Sequence, residues 1–302
     1  MIVRQKRLLL GFALLLVLQT GLYLVQYFGE LESGGRFGGD FIAFWKAAQH
    51  LHAGDVAAIY DPAGWARVLA QGMPAEFSWF VYPPYMLLGL WPLGGLGYRE
   101  AVAWWSVAPL PFFAGLLWVL ARRAGLEGRG TAVLLAFTLP LLSANLFSGQ
   151  TGAWLAVFLM GAVVLLPCRP VLAGVCIGLI AAKPQLGVLL PLALAASGQW
   201  RAFGAAALTV VALAVSATLW LGAGIWGDYL EMTRLFGRFI GEGYEGIRPL
   251  VVGPYVSLTA VGVPVGLAAA VQAGVAMAVV AAVWRLFRDE AASSELRQMC
   301  IR

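Results

Sequence analysis

The amino-acid sequence predicts an all-α protein that crosses a membrane several times. Of its 302 residues, 61% are hydrophobic and 12% are charged, whereas an ordinary soluble domain has about 25% charged residues. The mean hydropathy is +0.82, and long apolar stretches recur along the chain, which is typical of membrane-spanning helices. The net charge of +5 comes from Lys and Arg residues that punctuate these stretches. This pattern indicates control of topology and gives no reason to expect a nucleic-acid partner.

We interpret residues 1–302 as one integral membrane domain with about eight transmembrane helices. Its predicted parts are a first span at 8–28, an outer loop at 29–97, spans two to seven within 98–222, a second outer segment at 223–260 and a last span within 261–288. Spans two to seven are expected at Ala101–Leu120, Thr131–Phe147, Trp154–Leu166, Val171–Ala182, a segment that returns to Trp200, and Phe203–Leu221.

The basic residues orient these spans. Met86–Leu93 is too short to cross a bilayer, which takes about twenty residues, so we interpret it as interfacial or re-entrant. Every inner end then carries Arg, at Arg122, Arg169, Arg201 and Arg288, as the positive-inside rule requires. This predicts a multi-pass plasma-membrane protein with both termini in the cytoplasm and its active site on the outer side. Counting Met86–Leu93 as a span would instead place Arg122 outside.

Asp40, in the outer loop, opens an amphipathic helix that runs to Ala53. Apolar residues recur at three- and four-residue steps, namely Phe41, Phe44, Trp45, Ala48 and Leu51. A helix of this kind beside a membrane span is expected to lie in the interface, with Asp40 where lipid headgroups meet water. Asp40 could instead only cap the helix by accepting amide hydrogen bonds. Taken alone, the helix leaves both roles open.

Two further helices are expected in the outer segments. One starts at Asp61-Pro62 and stops near Gly72. The other covers residues 226–240, with an aromatic and apolar face opposite the charged residues Asp228, Glu231, Arg234 and Arg238. Since Glu231 and Arg234 are three residues apart on this helix, we expect an ion pair between them.

Polar side chains at the outer ends of apolar segments are the candidate site residues. Charged groups near the membrane interior are costly, so such residues are functional candidates by default. Lys183 stands out because it ends a short apolar span and precedes Pro184; its alternative role is to extend its ammonium to lipid headgroups. The candidates are Asp40, Asp61, Tyr82, Gln150, Lys183, Gln185 and Arg248.

Several other chemistries lack their signatures in this sequence. It contains no phosphate-binding GxxxxGK[ST] loop, no Gly-rich dinucleotide loop, no HExxH and no nucleophile elbow. No Asp-x-Asp occurs either, which argues against a metal-dependent nucleotide-sugar transferase. His50 and His52 are two residues apart on a helix and point in different directions, so no metal site is expected.

Short motifs cluster at the outer ends of the predicted apolar segments. They are Gly38-Gly39-Asp40-Phe41 with Phe44-Trp45 and Ala47-Ala48, Ile59-Tyr60-Asp61, Tyr82-Pro83-Pro84 with Trp91-Pro92-Leu93, Ser148-Gly149-Gln150, and Lys183-Pro184-Gln185. Together they make residues 8–191 resemble glycosyltransferase family 87, also catalogued as domain of unknown function 2029. This family contains polyprenyl-phosphate-mannose-dependent mannosyltransferases of the GT-C fold. The resemblance implies a GT-C-like helical bundle with interfacial helices in a long first outer loop.

The resemblance also implies a reaction. Asp40 is expected to be the catalytic base, the donor a polyprenyl-phosphate hexose, with mannose as the expected sugar, and the acceptor a lipid or a glycan. Because this donor brings its own leaving group, the enzyme has to supply a base and cations for the phosphate. We expect membrane lipid as the other partner, and no separate cofactor.

Each candidate residue has an expected role in that reaction. Lys183 is expected to hold the phosphate, with Arg248 or Arg238 in reserve. Because one carboxylate stands out rather than a close pair, single displacement with inversion is favoured. The other substrate-binding candidates are Gln150, Gln185, Tyr82 and Asp61.

Two alternatives remain open at the level of the sequence. A transporter or flippase for a lipid-linked saccharide would use the same outer cations but would need no base. Transporters often show paired halves with broken spans at matching positions, and no such pairing is evident here. The second alternative is a truncated, non-catalytic member of the family.

Overall fold

The computed structural model describes residues 39–61, 80–126, 129–241 and 253–288, and the regular secondary structure of these residues is helical. The α-helices are α1 Phe41–His52, α2 Met86–Leu90, α3 Tyr98–Val107, α4 Leu110–Arg123, α5 Arg129–Ser148, α6 Gly152–Leu165, α7 Pro170–Leu179, α8 Pro184–Gly187, α9 Leu190–Ala196, α10 Trp200–Leu221, α11 Ile225–Gly241, α12 Pro254–Ala260 and α13 Val265–Arg288. Short 3₁₀ turns lie at Val56–Ala58, Trp91–Leu93 and Ile180–Ala182. The predicted first span, Arg248 and nearly all of the predicted helix from Asp61 to Gly72 lie outside the described residues.

The all-helical prediction is confirmed, but the predicted number of spans is not. Within the described ranges, three segments are long and apolar enough to cross a membrane: Tyr98–Arg123, Trp200–Leu221 and Val265–Arg288. Shorter apolar segments of 10–17 residues lie at Gly152–Leu165, Pro170–Ala182 and Pro184–Ala196. These shorter segments fall below the roughly twenty residues that a simple span requires.

The second predicted span is not one continuous helix. Helix α3 ends at Val107 and α4 begins at Leu110, so the expected helix Ala101–Leu120 is interrupted at Pro109. Proline has no backbone N–H, and its ring clashes with the carbonyl one turn earlier, which explains the interruption. The segment Met86–Leu93 is short, as the sequence shows, and is made of α2 and one 3₁₀ turn; its interfacial or re-entrant position stays a prediction.

Helix α1 confirms the predicted amphipathic segment and forms the centre of a buried core. Phe41, Phe44 and Ala48 are at most 1% exposed. Gly94 lets the Trp91–Leu93 turn approach α1, because a Cβ at that position would overlap the Ala48 carbonyl. The stripe is therefore covered by protein, whereas the sequence suggested a helix lying in the membrane interface. Other buried members of this core are Tyr60, Phe80, Leu87, Leu90, Ala101 and Met232.

Helix α11 confirms the predicted helix of the second outer segment and packs against this core. The sequence predicts an apolar face that contains Leu230, but Leu230 is 50% exposed and Met232 is 1% exposed, so the buried face is rotated relative to the predicted one. The expected ion pair between Glu231 and Arg234 does not form, whereas His50 and Asp55 do pair, at 3.5 Å.

Contacts between helices show which ends of the bundle lie together. The Arg123 guanidinium donates to the Val164 carbonyl at 2.9 Å, which joins the C-terminal ends of α4 and α6. Helices α7 and α10 run in parallel, since Gly174 packs on Ala202 while Gly178 packs on Thr209. A Cβ at either glycine would overlap α10, which is the small-residue packing common between membrane helices. The arginines that end α4, precede α7 and begin α10 therefore share the end of the bundle opposite to Gln150 and Lys183.

Candidate active site

Three segments that are distant in sequence meet at the end of the bundle that lacks these arginines. Asp40 precedes α1, Gln150 lies in the turn between α5 and α6, and Lys183 lies between the Ile180–Ala182 turn and α8. The Gln150 amide nitrogen donates to the Asp40 carboxylate. The Gln150 amide oxygen accepts from the Lys183 ammonium at 3.3 Å. One amide therefore connects the candidate base with the candidate phosphate-binding cation.

Asp40 does not act as a helix cap in this structure. Its φ and ψ are −71° and −16°, and its side chain makes no capping hydrogen bond. The backbone N–H of Asp40 instead donates to the Ser148 carbonyl at 2.9 Å. This bond fixes the start of α1 against the end of α5 and leaves the exposed carboxylate directed at Gln150.

The turn that carries Gln150 has a defined geometry. Gly149 has a φ of +65°, a conformation in which a glycine ends helices without steric cost. The Gly149 N–H donates to Leu146 at 3.2 Å, and the Gln150 N–H donates to Asn145 at 3.1 Å, which is the Schellman pattern. The Asn145 side chain also accepts from the Ala153 N–H at 2.9 Å. These bonds close α5, open α6 and fix the backbone of Gln150.

Lys183 owes its position to the proline that follows it. A residue before proline is driven out of the helical conformation, and Lys183 has φ −130° and ψ 80°. The Tyr85 hydroxyl donates to the Ala181 carbonyl at 2.8 Å, so a carbonyl near the helix break has a partner. The Lys183 ammonium lies 5.9 Å from the centre of the Tyr82 ring. Partial burial lowers the pKa of Lys183, and the charge of Asp40 acts in the opposite direction.

Tyr82 forms a wall of the site. The Tyr60 hydroxyl donates to the Tyr82 carbonyl, and the Tyr82 hydroxyl in turn lies 3.4 Å from the Gln150 amide oxygen. Burial raises the pKa of Tyr82 to about 12; an interaction with the Thr151 hydroxyl acts in the opposite direction, and the negative charge of Asp40 adds to the rise. The phenol therefore stays protonated near neutral pH and can donate a hydrogen bond but cannot serve as the base.

An apolar cavity of about 270 Å³ adjoins this polar cluster. Its lining includes Thr151 and Ala182, the neighbours in sequence of Gln150 and Lys183. Trp105 lines it as well and donates through its indole nitrogen to the Gln150 carbonyl at 3.4 Å. Thr151 is 3% exposed, and its hydroxyl interacts with the Tyr82 phenol without meeting strict hydrogen-bond geometry. The remainder of the lining is apolar and aromatic, with Met86, Leu90, Trp154, Leu155, Phe158 and Leu213.

The remaining predicted site residues are Gln185, Arg238, Asp61 and Arg248. Gln185 is exposed on α8, and Arg238 is exposed near the end of α11. Asp61 is partly buried and follows Tyr60 in sequence. Arg248 lies outside the described residues.

The two histidines have separate partners. His52 approaches the Trp91 carbonyl at 2.7 Å and stacks on the Trp91 ring, and His50 pairs with Asp55. In the described parts of the chain, no group of three or more His, Cys, Asp or Glu residues could hold a metal ion.

Sequence reasoning missed three residues of the site. Trp105 and Thr151 are described above, and Tyr60 fixes the Tyr82 backbone. Tyr60 belongs to a motif that the resemblance includes, so its motif could have identified it. Thr151 directly follows the Ser148-Gly149-Gln150 motif, so its position could also have indicated it. Trp105 had no comparable signal, because an indole inside an apolar segment looks like an ordinary core residue.

The fold and the site define a class of protein: a helical membrane protein with a carboxylate, an amide and an ammonium beside an apolar cavity. The sequence model of glycosyltransferase family 87 matches residues 80–301. The chain therefore belongs to this family and is a glycosyltransferase of the membrane. The matched region contains Tyr82, Gln150 and Lys183, while Asp40 precedes it. No curated protein and no solved structure matches the chain.

Proposed function

We propose that the protein transfers a hexose, with mannose as the expected sugar, from a polyprenyl-phosphate donor to a hydroxyl group of a lipid or glycan acceptor. The observation that supports this most is that Asp40 and Lys183 bind the two ends of the Gln150 amide beside an apolar cavity. A base, a cation and an apolar cavity are the groups that a lipid-linked sugar phosphate requires.

In the proposed step Asp40 accepts the proton of the acceptor hydroxyl. The hydroxyl oxygen forms a bond to C1 of the hexose while the bond between C1 and the phosphate oxygen breaks. The electron pair of that bond leaves with the polyprenyl phosphate, whose growing negative charge the Lys183 ammonium stabilises. Since the contacts of the cluster include one carboxylate, the proposed reaction is a single displacement with inversion at C1.

The donor is proposed to bind with its phosphate at Lys183 and its first isoprene units in the cavity. The order of residues supports this placement, since Ala182 lines the cavity and Lys183 follows it directly. The buried Thr151 hydroxyl, which interacts with the Tyr82 phenol but makes no hydrogen bond of strict geometry among the described residues, is proposed to donate a second hydrogen bond to the phosphate.

The positions of the arginines lead us to propose on which side of the membrane the site lies. The arginines near α4, α7 and α10 lie at the end of the bundle opposite to Asp40. With the arginines in the cytoplasm, the site opens on the outer side of the plasma membrane.

The test uses the full-length protein in lipid nanodiscs with polyprenyl-phosphate [³H]mannose and a set of alkyl mannosides and alkyl glucosides. We expect labelled disaccharide from the wild type. Asp40→Asn should lose about a hundredfold or more in kcat, because Asn still accepts the Gln150 hydrogen bond but cannot take a proton.

The matched control is Asp55→Asn, which changes an exposed carboxylate just after the same helix and should leave transfer near the wild-type rate. Wild-type transfer by Asp40→Asn would contradict the assignment of the base. Movement of the labelled donor across vesicle membranes without transfer, and without dependence on Asp40, would instead support the flippase alternative.

A further inference from the structure

Beyond the roles of base and cation, and resting on the proposed role of Asp40, we infer that Gln150 is a positioning residue. It holds the Asp40 carboxylate in one orientation and keeps it apart from Lys183, instead of binding substrate.

The chemistry of the partners determines the orientation of the Gln150 amide. A carboxylate only accepts hydrogen bonds and an ammonium only donates them. The amide nitrogen faces Asp40, and the amide oxygen faces Lys183 at 3.3 Å and the Tyr82 hydroxyl at 3.4 Å. The reversed amide would set oxygen against carboxylate and N–H groups against ammonium, so only one orientation makes these contacts favourable.

Gln150 has little capacity left for a substrate. Both lone pairs of its amide oxygen have a donor directed at them, from Lys183 and from Tyr82. One of its two amide N–H groups is committed to Asp40. Its backbone is held as well, because its N–H donates to Asn145 and its carbonyl accepts from Trp105.

The position of the amide also explains how base and cation can coexist. Asp40 and Lys183 make no direct ion pair in the described structure, and each contacts Gln150 instead. In a direct ion pair the carboxylate would be a weaker base, and the ammonium would have fewer donors for phosphate. Because the amide lies between them, each charged group keeps a free side for its own part of the reaction.

The main test is a double-mutant cycle with Gln150→Met, which keeps the length of the side chain and removes its hydrogen bonds. In the nanodisc assay with polyprenyl-phosphate [³H]mannose, we expect kcat to fall by about tenfold or more, and any rise in the donor KM to be smaller than this fall. In the Asp40→Asn background the same change should cause no further loss, because Gln150 acts through Asp40. Gln199→Met, at the opposite end of the bundle, is the matched control and should behave as the wild type.

The outcomes separate this inference from the proposed function. A raised donor KM with unchanged kcat would make Gln150 a substrate-binding residue and overturn the inference. An equal further loss in the Asp40→Asn background would overturn it as well, although the proposed base would stand. Near-normal kcat in Asp40→Asn alone would instead contradict the proposed function.

A second variant covers the case in which Gln150→Met does not fold. Gln150→Glu can still accept from Lys183 and Tyr82 but sets a second carboxylate against Asp40. Near neutral pH we expect the kcat of Gln150→Glu to be lower than that of the wild type. Two adjacent carboxylates bind a shared proton more readily than either binds one alone, so this kcat should recover as the pH falls. Once protonated, the introduced carboxyl group can again donate to Asp40. A purely structural role predicts no such recovery, and its absence would count against the inference.

Discussion

At the scale of single residues, the site assigns one task to each polar group. The Asp40 carboxylate accepts a hydrogen bond, and the Lys183 ammonium donates one. Gln150 donates through its amide nitrogen and accepts through its amide oxygen. Tyr82, whose pKa burial raises to about 12, is confined to donating from its neutral phenol. This division explains why the side chains are not interchangeable even though all four lie together.

Lys183 leads to a prediction about alkaline pH. Burial disfavours its charged form and lowers its pKa, so the ammonium loses its proton at a lower pH than an ordinary lysine does. We therefore expect kcat/KM for the donor to fall on the alkaline side before the pH range of a free lysine is reached. Lys183→Arg should remove this fall, because a guanidinium stays charged throughout that range.

The measurement is a pH–rate profile of donor turnover for both proteins. Lys183→Met is the control, and it should bind donor weakly at every pH while keeping a rate that depends on Asp40. If kcat/KM for the donor still falls at alkaline pH in Lys183→Arg, a group other than Lys183 causes the fall. Unchanged donor affinity in Lys183→Met would favour the alternative that Lys183 only extends to lipid headgroups.

At the scale of secondary-structure elements, the site is built on helix ends and not on helix faces. Asp40 precedes α1, Gln150 follows α5, and Lys183 follows the Ile180–Ala182 turn. Helix ends have backbone groups without intrahelical partners. Here the Asp40 N–H, at the start of α1, donates to the Ser148 carbonyl, and the Ala181 carbonyl accepts from the Tyr85 hydroxyl.

Gly149 allows the contribution of the α5–α6 turn to be measured. An alanine at its φ of +65° should destabilise the protein by about 1 kcal/mol and shift Gln150, so we expect a lower melting midpoint and at least a severalfold loss of kcat. Gly125→Ala is a matched control, because Gly125 has a φ of +67° and ends α4 with the same pair of backbone bonds. It lies at the other end of the bundle, so it should lower the midpoint similarly and spare kcat. Equal kcat losses in both variants would mean that the turn affects activity through stability alone.

The sequence predicted those parts of the site that depend on local rules. Periodicity predicted α1, and the proline after Lys183 predicted the break. The bond between Gln150 and Asp40 could not be predicted, because it joins residues 110 positions apart and depends on how α5 meets α1. The break at Pro109 was missed because the span was predicted from its apolar composition, although the proline itself indicates an interruption.

At the scale of the whole molecule, the bundle has two chemically different ends. One end carries the arginines around α4, α7 and α10, and the other carries the candidate site. We expect single cysteines at positions 185 and 234 to react with an impermeant maleimide in intact cells, and cysteines at positions 122 and 201 to react only after permeabilisation. The background for this test is the chain with its three native cysteines replaced by serine. Labelling of position 122 from outside would overturn the proposed orientation and restore Met86–Leu93 as a span.

The separation of the site residues along the chain also affects how the protein is made. Lys183 is synthesised 143 residues after Asp40 (183 − 40 = 143), which takes about 7–30 s at a ribosomal rate of roughly 5–20 residues per second. During this interval the Asp40 segment lacks Lys183, which belongs to the second half of the chain. Because an incomplete chain lacks Lys183, the proposed donor site is complete only when this part of the chain has been made. If the proposal holds, activity therefore depends on the insertion of the segments that follow Gln150.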